Sequence, residues 1–461
     1  CKHLTISCVE KCKAMKRKIY KELVDWKNRE QHKPLILNGV RQCGKTYILK
    51  EFGRNEFDNL AYISCDRNES LHAIYAGDFD TARIIRGLSA LTGVDIIPGK
   101  TLIFLDEVQA FPQALEALKY FCEDAPEYHI VVAGSLLGVA LHAGISFPVG
   151  KVQSMRLFPM DFEEFMWALG NEMLMSFISQ QFERLEPMNG LHRKAMDYFR
   201  QYMIVGGMPQ AVEAYVCRRD LYEVDEIKRD ILSIYRNDIR KYADNQETKV
   251  SAIFEEIPGQ LQKHEKKFRL SDLKSEARMR DYSEAFFWLE DARIVNCCYN
   301  SSEPSIGLRL NEERTTLKCY MGDTGLLISH AFDDLAIAKN ELYQKLMTDK
   351  LEINEGMIVE NIVAQMLRAA GHRLFFFSKY SAESASDRME IDFLISKSQI
   401  TSRHNISAIE VKSGKQYTTT SLNKCIAKYS NQMSTPYVLH AKDLKVDNGI
   451  VYLPLYMTPL L

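Results

Sequence analysis

The chain has 461 residues, which at roughly 150 residues per domain predicts about three domains. Hydrophobic residues make up 46% and charged residues 26%, fractions that exclude a fibrous or largely disordered protein. Lys plus Arg (59) nearly balance Asp plus Glu (61), for a formal net charge of -2, so any contact with nucleic acid has to be a local patch.

The cysteines and the hydropathy pattern indicate the compartment. Eleven cysteines, an odd number, lie scattered along the chain, which is typical of proteins from a reducing compartment. No run reaches the ~18 uninterrupted apolar residues that a membrane helix needs. The first residues also lack the apolar core of a secretory signal. We therefore expect a cytoplasmic protein without a membrane segment.

A phosphate-binding loop is predicted near the N-terminus. The apolar run from Pro34 to Asn38 predicts a strand, and it leads into Gly39-Val40-Arg41-Gln42-Cys43-Gly44-Lys45-Thr46 and then into a helical pattern. Glycines let backbone N–H groups converge on phosphate oxygens, and the N-terminus of the following helix adds partial positive charge. Lys45 would reach the β- and γ-phosphates of ATP, and Thr46 would supply a hydroxyl to Mg²⁺.

A second strand, from Thr101 to Leu105, ends in the acidic pair Asp106 and Glu107. A strand that is buried on both faces points its C-terminal end at the ligand crevice. We therefore expect Asp106 to hold Mg²⁺ through water and Glu107 to polarise the attacking water. An acidic pair of this kind is usually a solvated turn, but after the loop at Gly39–Thr46 it becomes a candidate catalytic pair.

Three further runs, Leu60 to Ser64, Tyr128 to Ala133 and Lys151 to Phe158, complete a predicted five-stranded α/β core. The second of these runs is followed by Ser135, which could lie between the acidic pair and the γ-phosphate and act as a sensor. Ser135 could equally cap the helical pattern that follows it, and the two roles are compatible.

These segments carry a resemblance to a family. GVRQCGKT, LIFLDEVQ, VAGSLLGVAL and SFPVGKVQSMRLFPMDFEEF, with GGMPQAV downstream, resemble prokaryotic AAA-type P-loop ATPases whose C-terminal half is a domain of unknown function. The resemblance extends over nearly the whole chain from Met15. It implies an ASCE-type core with strand order 5-1-4-3-2 and Glu107 as the base. An arginine finger is also expected, with Arg156, Arg193 and Arg200 as open alternatives.

The middle of the chain is predicted to be mostly helical, with a loop at Gly206-Gly207-Met208-Pro209. From Phe268 to Asn300 the pattern resembles a winged helix, with a first helix capped by Ser271, a second capped by Asp281 and a strand. Further on, Asp323 is expected to cap a helix that begins at Thr324.

The predicted second helix of the winged-helix segment carries Glu284, Glu290 and Asp291. Such an acidic face would repel phosphates, so a structural or regulatory role is favoured over reading of DNA. The segment KHEKKFR just before it, with Arg278 and Arg280, is the local basic patch that could contact nucleic acid.

Four residues near the C-terminus form a second candidate site. Glu360 interrupts the apolar face of a predicted helix, so its buried carboxylate needs a cation or a metal as partner. Asp392 lies near the start of the next but one predicted strand. Glu410 and Lys412 follow two residues apart, which places them on the same face of a strand.

In this order, on helix, strand and strand, the four residues resemble the PD-(D/E)XK restriction-endonuclease-like core. The resemblance implies that Asp392 and Glu410 bind Mg²⁺, with Glu360 and Lys412 completing a catalytic site for DNA. Many such domains bind without cutting, and a salt-bridged sheet edge is the alternative interpretation.

The predicted architecture is α/β, with a P-loop NTPase domain of AAA/ASCE type at 15–165, a helical linker with a winged-helix-like segment at 166–345 and a nuclease-like domain at 346–461. The leading hypothesis is a Mg²⁺- and ATP-dependent switch that controls the nuclease-like domain, with DNA and a second copy of the chain as candidate partners. The rival is a nucleotide-regulated binding or scaffolding protein with an inactive nuclease-like domain. A third hypothesis is an AAA oligomer that receives an arginine from its neighbour.

Overall fold

The computed structural model describes residues 15–135, 148–243, 245–263, 265–305, 307–333, 355–379, 388–396, 405–414 and 416–461. Over these residues the chain forms two compact units, one of residues 15–159 with 291–293, the other of residues 160–290 with 294–461. In the described part of the chain, no helix is both long and apolar enough to cross a membrane.

The first unit is built on a five-stranded parallel sheet. Its strands are β1 (Leu35–Gly39), β2 (Asn59–Ser64), β3 (Thr101–Asp106), β4 (His129–Gly134) and β5 (Gln153–Leu157). Their order across the sheet is β2-β3-β4-β1-β5, which is the order that the family resemblance implied. β3 and β4 are buried along their whole length, as expected for central strands that are covered on both faces.

Among the residues described for this unit, five helices accompany the sheet: α1 (Ile19–Lys27), α2 (Lys45–Glu56), α3 (Ser70–Ile74), α4 (Thr81–Thr92) and α5 (Pro112–Asp124). The core of the unit combines strand residues such as Ile103 and Val132 with Leu88 of α4 and Leu115 of α5. The C-terminal ends of β1 and β3 therefore lie on a rigid, close-packed scaffold, which is what a phosphate site at the sheet edge requires.

The second unit begins with a helical region, as predicted. Its helices are α6 (Phe162–Ala168), α7 (Glu172–Arg184), α8 (His192–Val205), α9 (Pro209–Arg218), α10 (Leu221–Tyr242), α11 (Glu247–Gln262), α12 (Met279–Asp291) and α13 (Thr324–Ala331), followed by α14 (Glu355–Ala369) and α15 (Thr420–Lys428). The predicted loop at Gly206 to Pro209 separates α8 from α9, and Pro209 occupies the first helical position, where its missing N–H costs nothing.

An eight-stranded sheet forms the rest of this unit. Its strands are β6 (Val295–Ser301), β7 (Glu312–Met321), β8 (Phe375–Lys379), β9 (Met389–Ser396), β10 (Ile406–Val411), β11 (Tyr437–His440), β12 (Lys445–Asp447) and β13 (Ile450–Pro454). The order is β12-β13-β11-β10-β9-β8-β6-β7. β8, β9 and β10 are antiparallel neighbours, whereas β11 is parallel to β10.

The antiparallel pair β6 and β7 joins this sheet through a parallel contact between β6 and β8. Strands from the predicted linker and from the predicted nuclease-like domain therefore share one sheet and one compact unit. The division at 345 stays a prediction.

Three local predictions in this unit were wrong in detail. Ser271 does not cap an α-helix, because only the short 3₁₀ helix Leu270–Asp272 forms there. A hydrogen bond from the preceding helix α11 holds that turn: Gln260 Nε2 donates to Asp272 Oδ2 at 2.7 Å. Asp281 lies inside the first turn of α12 and not at its cap. Asp392 lies in the interior of β9, since the strand begins earlier than its apolar pattern suggested.

Candidate functional site

The loop between β1 and α2 has the backbone that the glycine pattern predicted. Gly44 has φ +93° and Gln42 has φ +68°, both in the left-handed region, which turns the chain tightly before α2 begins at Lys45. A Cβ on Gly39 would lie 2.5 Å from the carbonyl oxygen of Leu157. Gly39 is therefore required by close packing against β5.

Lys45 lies inside this loop. Its Nζ donates to the carbonyl oxygens of Gly39 at 2.8 Å and Val40 at 3.0 Å. Both acceptors are neutral carbonyl oxygens. Phosphate oxygens, which are charged, can replace them as stronger hydrogen-bond acceptors for the ammonium. The neighbouring Cys43 is fully buried, whereas Gln42 is exposed.

The two predicted Mg²⁺ ligands of this unit are in direct contact. Thr46 Oγ1 donates to Asp106 Oδ2 at 2.8 Å, and the Tyr62 hydroxyl donates to the same oxygen at 3.3 Å. Burial, supported by the neighbouring Glu107, raises the pKa of Asp106, while the bond from Thr46 opposes that shift. A hydroxyl and a carboxylate side by side are the hard oxygen donors that Mg²⁺ prefers, so these residues fit the ion.

Glu107 has an unusual backbone for a non-glycine residue, with φ 51° and ψ 44°. Strain of this kind costs of order 1–3 kcal/mol and is concentrated at functional sites. The Glu107 carboxylate accepts hydrogen bonds at Oε2 from the Gln109 amide and from Ser135 Oγ, the latter at 3.4 Å. The structure thus places Ser135 beside the predicted base. Gln109 was missed by the sequence analysis, because only the 3₁₀ turn Val108–Ala110 brings its side chain back to Glu107.

Arg17 is a second residue that the sequence analysis missed. The side chain is buried, and it donates from Nη1 to the Cys43 carbonyl at 3.1 Å and from Nη2 to the Phe158 carbonyl at 2.7 Å. One guanidinium thus ties the phosphate-binding loop to the residue that follows β5. It belongs to no recognisable motif, so only the fold could show this role.

The C-terminal cluster is also assembled, with a lysine in its middle. Lys318 of β7 lies with its Nζ 3.1 Å from Glu360 Oε1, 3.4 Å from Glu390 Oε1 and 3.7 Å from Asp392 Oδ1. Only 1% of Lys318 is exposed. Burial alone would lower the pKa of Lys318, but Glu360, Asp392 and Glu390 outweigh burial and raise it.

Glu360 has further donors. Lys266 forms an ion pair with Oε2, and the Tyr320 hydroxyl donates to Oε1. Burial opposes ionisation, yet Lys318 and Lys266 lower the pKa of Glu360 to about 2. The cation that the sequence analysis required for this carboxylate is therefore a pair of lysines.

Two lysines of the basic segment KHEKKFR lie beside these acids. Besides Lys266, the next residue Lys267 donates to Ser378 Oγ at 2.8 Å and lies 4.0 Å from Glu390 Oε2. The charges of Lys266 and Lys267, two residues of the predicted basic patch, are therefore matched by carboxylates of the same unit.

Asp392 and Glu410, the predicted metal ligands of this cluster, lie on neighbouring strands. Asp392 Oδ2 accepts a hydrogen bond of 2.8 Å from the Val411 N–H, and Glu410 Oε2 lies 3.4 Å from Lys412 Nζ. Burial, with the charge of Asp392, raises the pKa of Glu410 to about 7 although Lys412 opposes it. Over the described ranges, no group of three or more His, Cys, Asp or Glu residues is placed to hold a metal ion.

The first unit is similar to a known protein family. Residues 31–166 match a family described as an AAA domain. This part of the chain is therefore similar to AAA-type P-loop ATPase domains. The match covers the loop with Lys45, the acidic pair and the whole five-stranded sheet, so the family assignment and the geometry concern the same residues.

The remainder of the chain matches two families of unknown function. Residues 196–335 match one of them (DUF8612), and residues 355–457 match the other (DUF4143). The chain matches no curated protein.

Solved structures show distant likeness. The Walker-type ATPase PABY2304 of Pyrococcus abyssi is 13% identical with a TM-score of 0.44, over 69% of this chain and 96% of that one. The ORC1 protein of Aeropyrum pernix, solved in complex with DNA, is 13% identical with a TM-score of 0.30, over 69% and 91%. Thermotoga maritima RuvB is 15% identical with a TM-score of 0.25, over 66% and 90%. Likeness at this distance carries no argument about substrates or partners.

Proposed function

We propose that the first unit binds and hydrolyses ATP with Mg²⁺, and that its nucleotide state controls the C-terminal part of the chain. The observation that carries the proposal is the contact between Thr46 Oγ1 and Asp106 Oδ2, 2.8 Å apart. It joins the end of the phosphate-binding loop to the end of β3, so that a phosphate bound at Lys45 would lie next to the acidic pair.

Each residue of the site has its own role in the binding or hydrolysis of ATP. Lys45, with the N–H groups from Gly39 to Thr46, binds the β- and γ-phosphates. Mg²⁺, held by Thr46 and through water by Asp106, would neutralise phosphate charge when bound. Glu107 takes a proton from water as the base, and Ser135 fixes its carboxylate from the neighbouring strand.

The test is ATP turnover beside nucleotide affinity in matched variants. Glu107→Gln should keep ATP affinity and lose turnover by about 10²-fold or more, because only the base is removed. Lys45→Ala should lose affinity without unfolding. Glu127→Gln is the control, since that exposed carboxylate lies outside the site. Turnover at the wild-type rate in Glu107→Gln would refute Glu107 as the base, and unchanged affinity in Lys45→Ala would refute the phosphate site.

For the C-terminal part we propose a nuclease-like domain of the PD-(D/E)XK type. What supports this is the order α14, β8, β9, β10, α15, β11, in which Glu360 lies on the first helix, Asp392 on the second strand and Glu410 on the third. In an active enzyme Asp392 and Glu410 would be the metal ligands, and Lys412 would orient or activate water. The substrate class would then be DNA.

A second candidate function is favoured by one observation. Lys318 lies among three carboxylates of the same cluster, where a nuclease would carry its metal. This supports a domain that binds a partner, DNA or protein, without cutting. Cleavage of plasmid and linear DNA with Mg²⁺ or Mn²⁺, with and without ATP, separates the two functions. Cutting that is lost in Lys412→Ala would establish the nuclease; no cutting with intact ATP turnover would favour the binding protein.

A further inference from the structure

Three carboxylates of the second unit, Glu360, Glu390 and Asp392, are here called the acid cluster. They converge on one ammonium, that of Lys318, at distances of 3.1, 3.4 and 3.7 Å. Lys318 lies on β7, and its Nζ also lies 5.2 Å from the centre of the Phe376 ring. The ammonium of Lys318 therefore lies close to both an aromatic ring and three carboxylates.

The charges in this region balance without any added ion. Lys318 and Lys266 both contact Glu360, and Lys267 approaches Glu390. Carboxylates that all lie within 4 Å of one ammonium would repel one another unless a cation lay between them. Among the residues that the structure describes, these three lysines match the three acids, and Lys412 pairs with Glu410, so no excess negative charge is left to attract a divalent ion.

A tethered cation also has an advantage over a dissolved one. Lys318 is buried and fixed on β7, so the chain itself supplies the ammonium at very high effective concentration. Mg²⁺ or Mn²⁺ would have to lose part of its water shell and displace a buried, hydrogen-bonded ammonium to reach Glu360 and Asp392.

We propose that Lys318 is the resident cation of the acid cluster, so that the wild-type domain keeps these carboxylates in place without a divalent metal and does not cut DNA. The inference rests on the nuclease-like domain proposed above and decides between its two functions. It also gives a role to the segment before residue 345, because β7 supplies the ammonium to carboxylates that lie on α14 and β9.

The test is Mn²⁺ binding to the full chain without nucleotide. Binding is measured as the loss of the electron paramagnetic resonance signal of free Mn²⁺. Four proteins are compared: wild type, Asp392→Asn, Lys318→Met and the double variant. Asparagine can still accept the Val411 N–H, so the strand pair is kept. We expect wild type and Asp392→Asn to bind Mn²⁺ alike, and Lys318→Met to gain one site per chain that the double variant lacks.

Two results would overturn the proposal. One is a Mn²⁺ site in the wild type that disappears in Asp392→Asn, since metal and ammonium would then coexist. The other is a folded Lys318→Met that gains no site. If Lys318→Met does not fold, the comparison of wild type with Asp392→Asn still decides the matter. ATP turnover, measured on the same samples, reports the first unit separately, so failure of the ATPase proposal is distinguishable.

Discussion

The backbone N–H of Gly207 donates a hydrogen bond of 2.6 Å to Asp323 Oδ2. The other carboxylate oxygen of Asp323 accepts from the Leu326 N–H at 2.9 Å, as expected for a residue that caps α13. One buried side chain thus holds both the glycine loop after α8 and the start of α13. This gives a physical reason for the glycine loop at Gly206 and Gly207 and for the capping residue Asp323, which lie far apart in the chain.

Glycine is needed in this loop because the chain segments approach closely. A Cβ on Gly207 would lie 2.1 Å from the Met160 carbonyl oxygen, and a Cβ on Gly206 would lie 2.3 Å from Asp323 Oδ1. Gly206 also has φ +80°, which other residues rarely adopt.

The first prediction concerns this contact. Asp323→Asn should lower the free energy of unfolding of the second unit by about 1–3 kcal/mol, because an amide offers one acceptor where the carboxylate uses two. Urea unfolding followed by circular dichroism measures the loss. Asp197→Asn is a matched control: its exposed pair with Arg200 should contribute less than about 1 kcal/mol. Equal stability of wild type and Asp323→Asn would contradict the assigned role.

The second prediction separates the hydroxyl of Thr46 from its size. Thr46→Val should lower Mg²⁺-dependent ATP turnover by a factor of about 10 to 100, the equivalent of one hydrogen bond to a charged group. Thr46→Ser keeps the hydroxyl that reaches Asp106 and should stay near the wild-type rate. Steady-state turnover over a range of Mg²⁺ concentrations is the measurement. Equal loss in both variants would contradict the prediction, because Thr46→Ser retains the hydroxyl and should keep the rate.

The local sequence pattern predicts the strands of the first unit, but it does not predict contacts between residues that lie far apart in the chain. The five strands of the first unit follow from apolar runs with their terminating residues, and each observed strand lies within two residues of its predicted bounds. Arg17 could not be predicted in the same way, because its partner Phe158 is 141 residues away.

The acid cluster shows the same limit. The apolar face around Glu360 predicts that its carboxylate needs a cation, but the pattern cannot say which one. Lys318 and Lys266 reach it from 42 and 94 residues earlier in the chain. The sheet that joins β6 to β8 decides that contact, and no local period in the sequence encodes that pairing.

The third prediction tests Arg17 as a residue that positions the phosphate-binding loop. Arg17→Met keeps much of the volume and removes both donors, so the Cys43 and Phe158 carbonyls lose charge-assisted bonds worth about 1.5–3 kcal/mol each in typical cases. We expect weaker ATP affinity in calorimetric titration together with a lower unfolding midpoint. Arg29→Met is the control, since Arg29 makes an exposed bond to Gln153 outside the loop. A variant that loses stability but binds ATP as the wild type does would reduce Arg17 to a purely structural residue.

The fourth prediction concerns the pH dependence of the first unit. His129 of β4 is stacked on His32 at 3.8 Å between ring centres, and its Nε2–H donates to the Lys27 carbonyl. Burial and the neighbouring His32 lower the pKa of His129 to about 4. The folded state therefore binds this proton less readily than the unfolded state does, whose pKa is about 6.5. The contribution of neutral His129 to the free energy of unfolding should be fully present above pH 6.5 and should decline as the pH falls towards 4.

Trp26 offers a local probe, because its ring packs edge-on against His129 at 5.5 Å. With Trp167 and Trp288 changed to Phe, urea unfolding is followed by Trp26 fluorescence at pH 7 and pH 5. We expect His129→Gln to lose about 1–2 kcal/mol less stability than its parent between these pH values, a range already reduced for solvent screening. The exposed His72→Gln should behave as the parent does. If His129→Gln follows the parental pH dependence, another group must carry the proton that destabilises this unit.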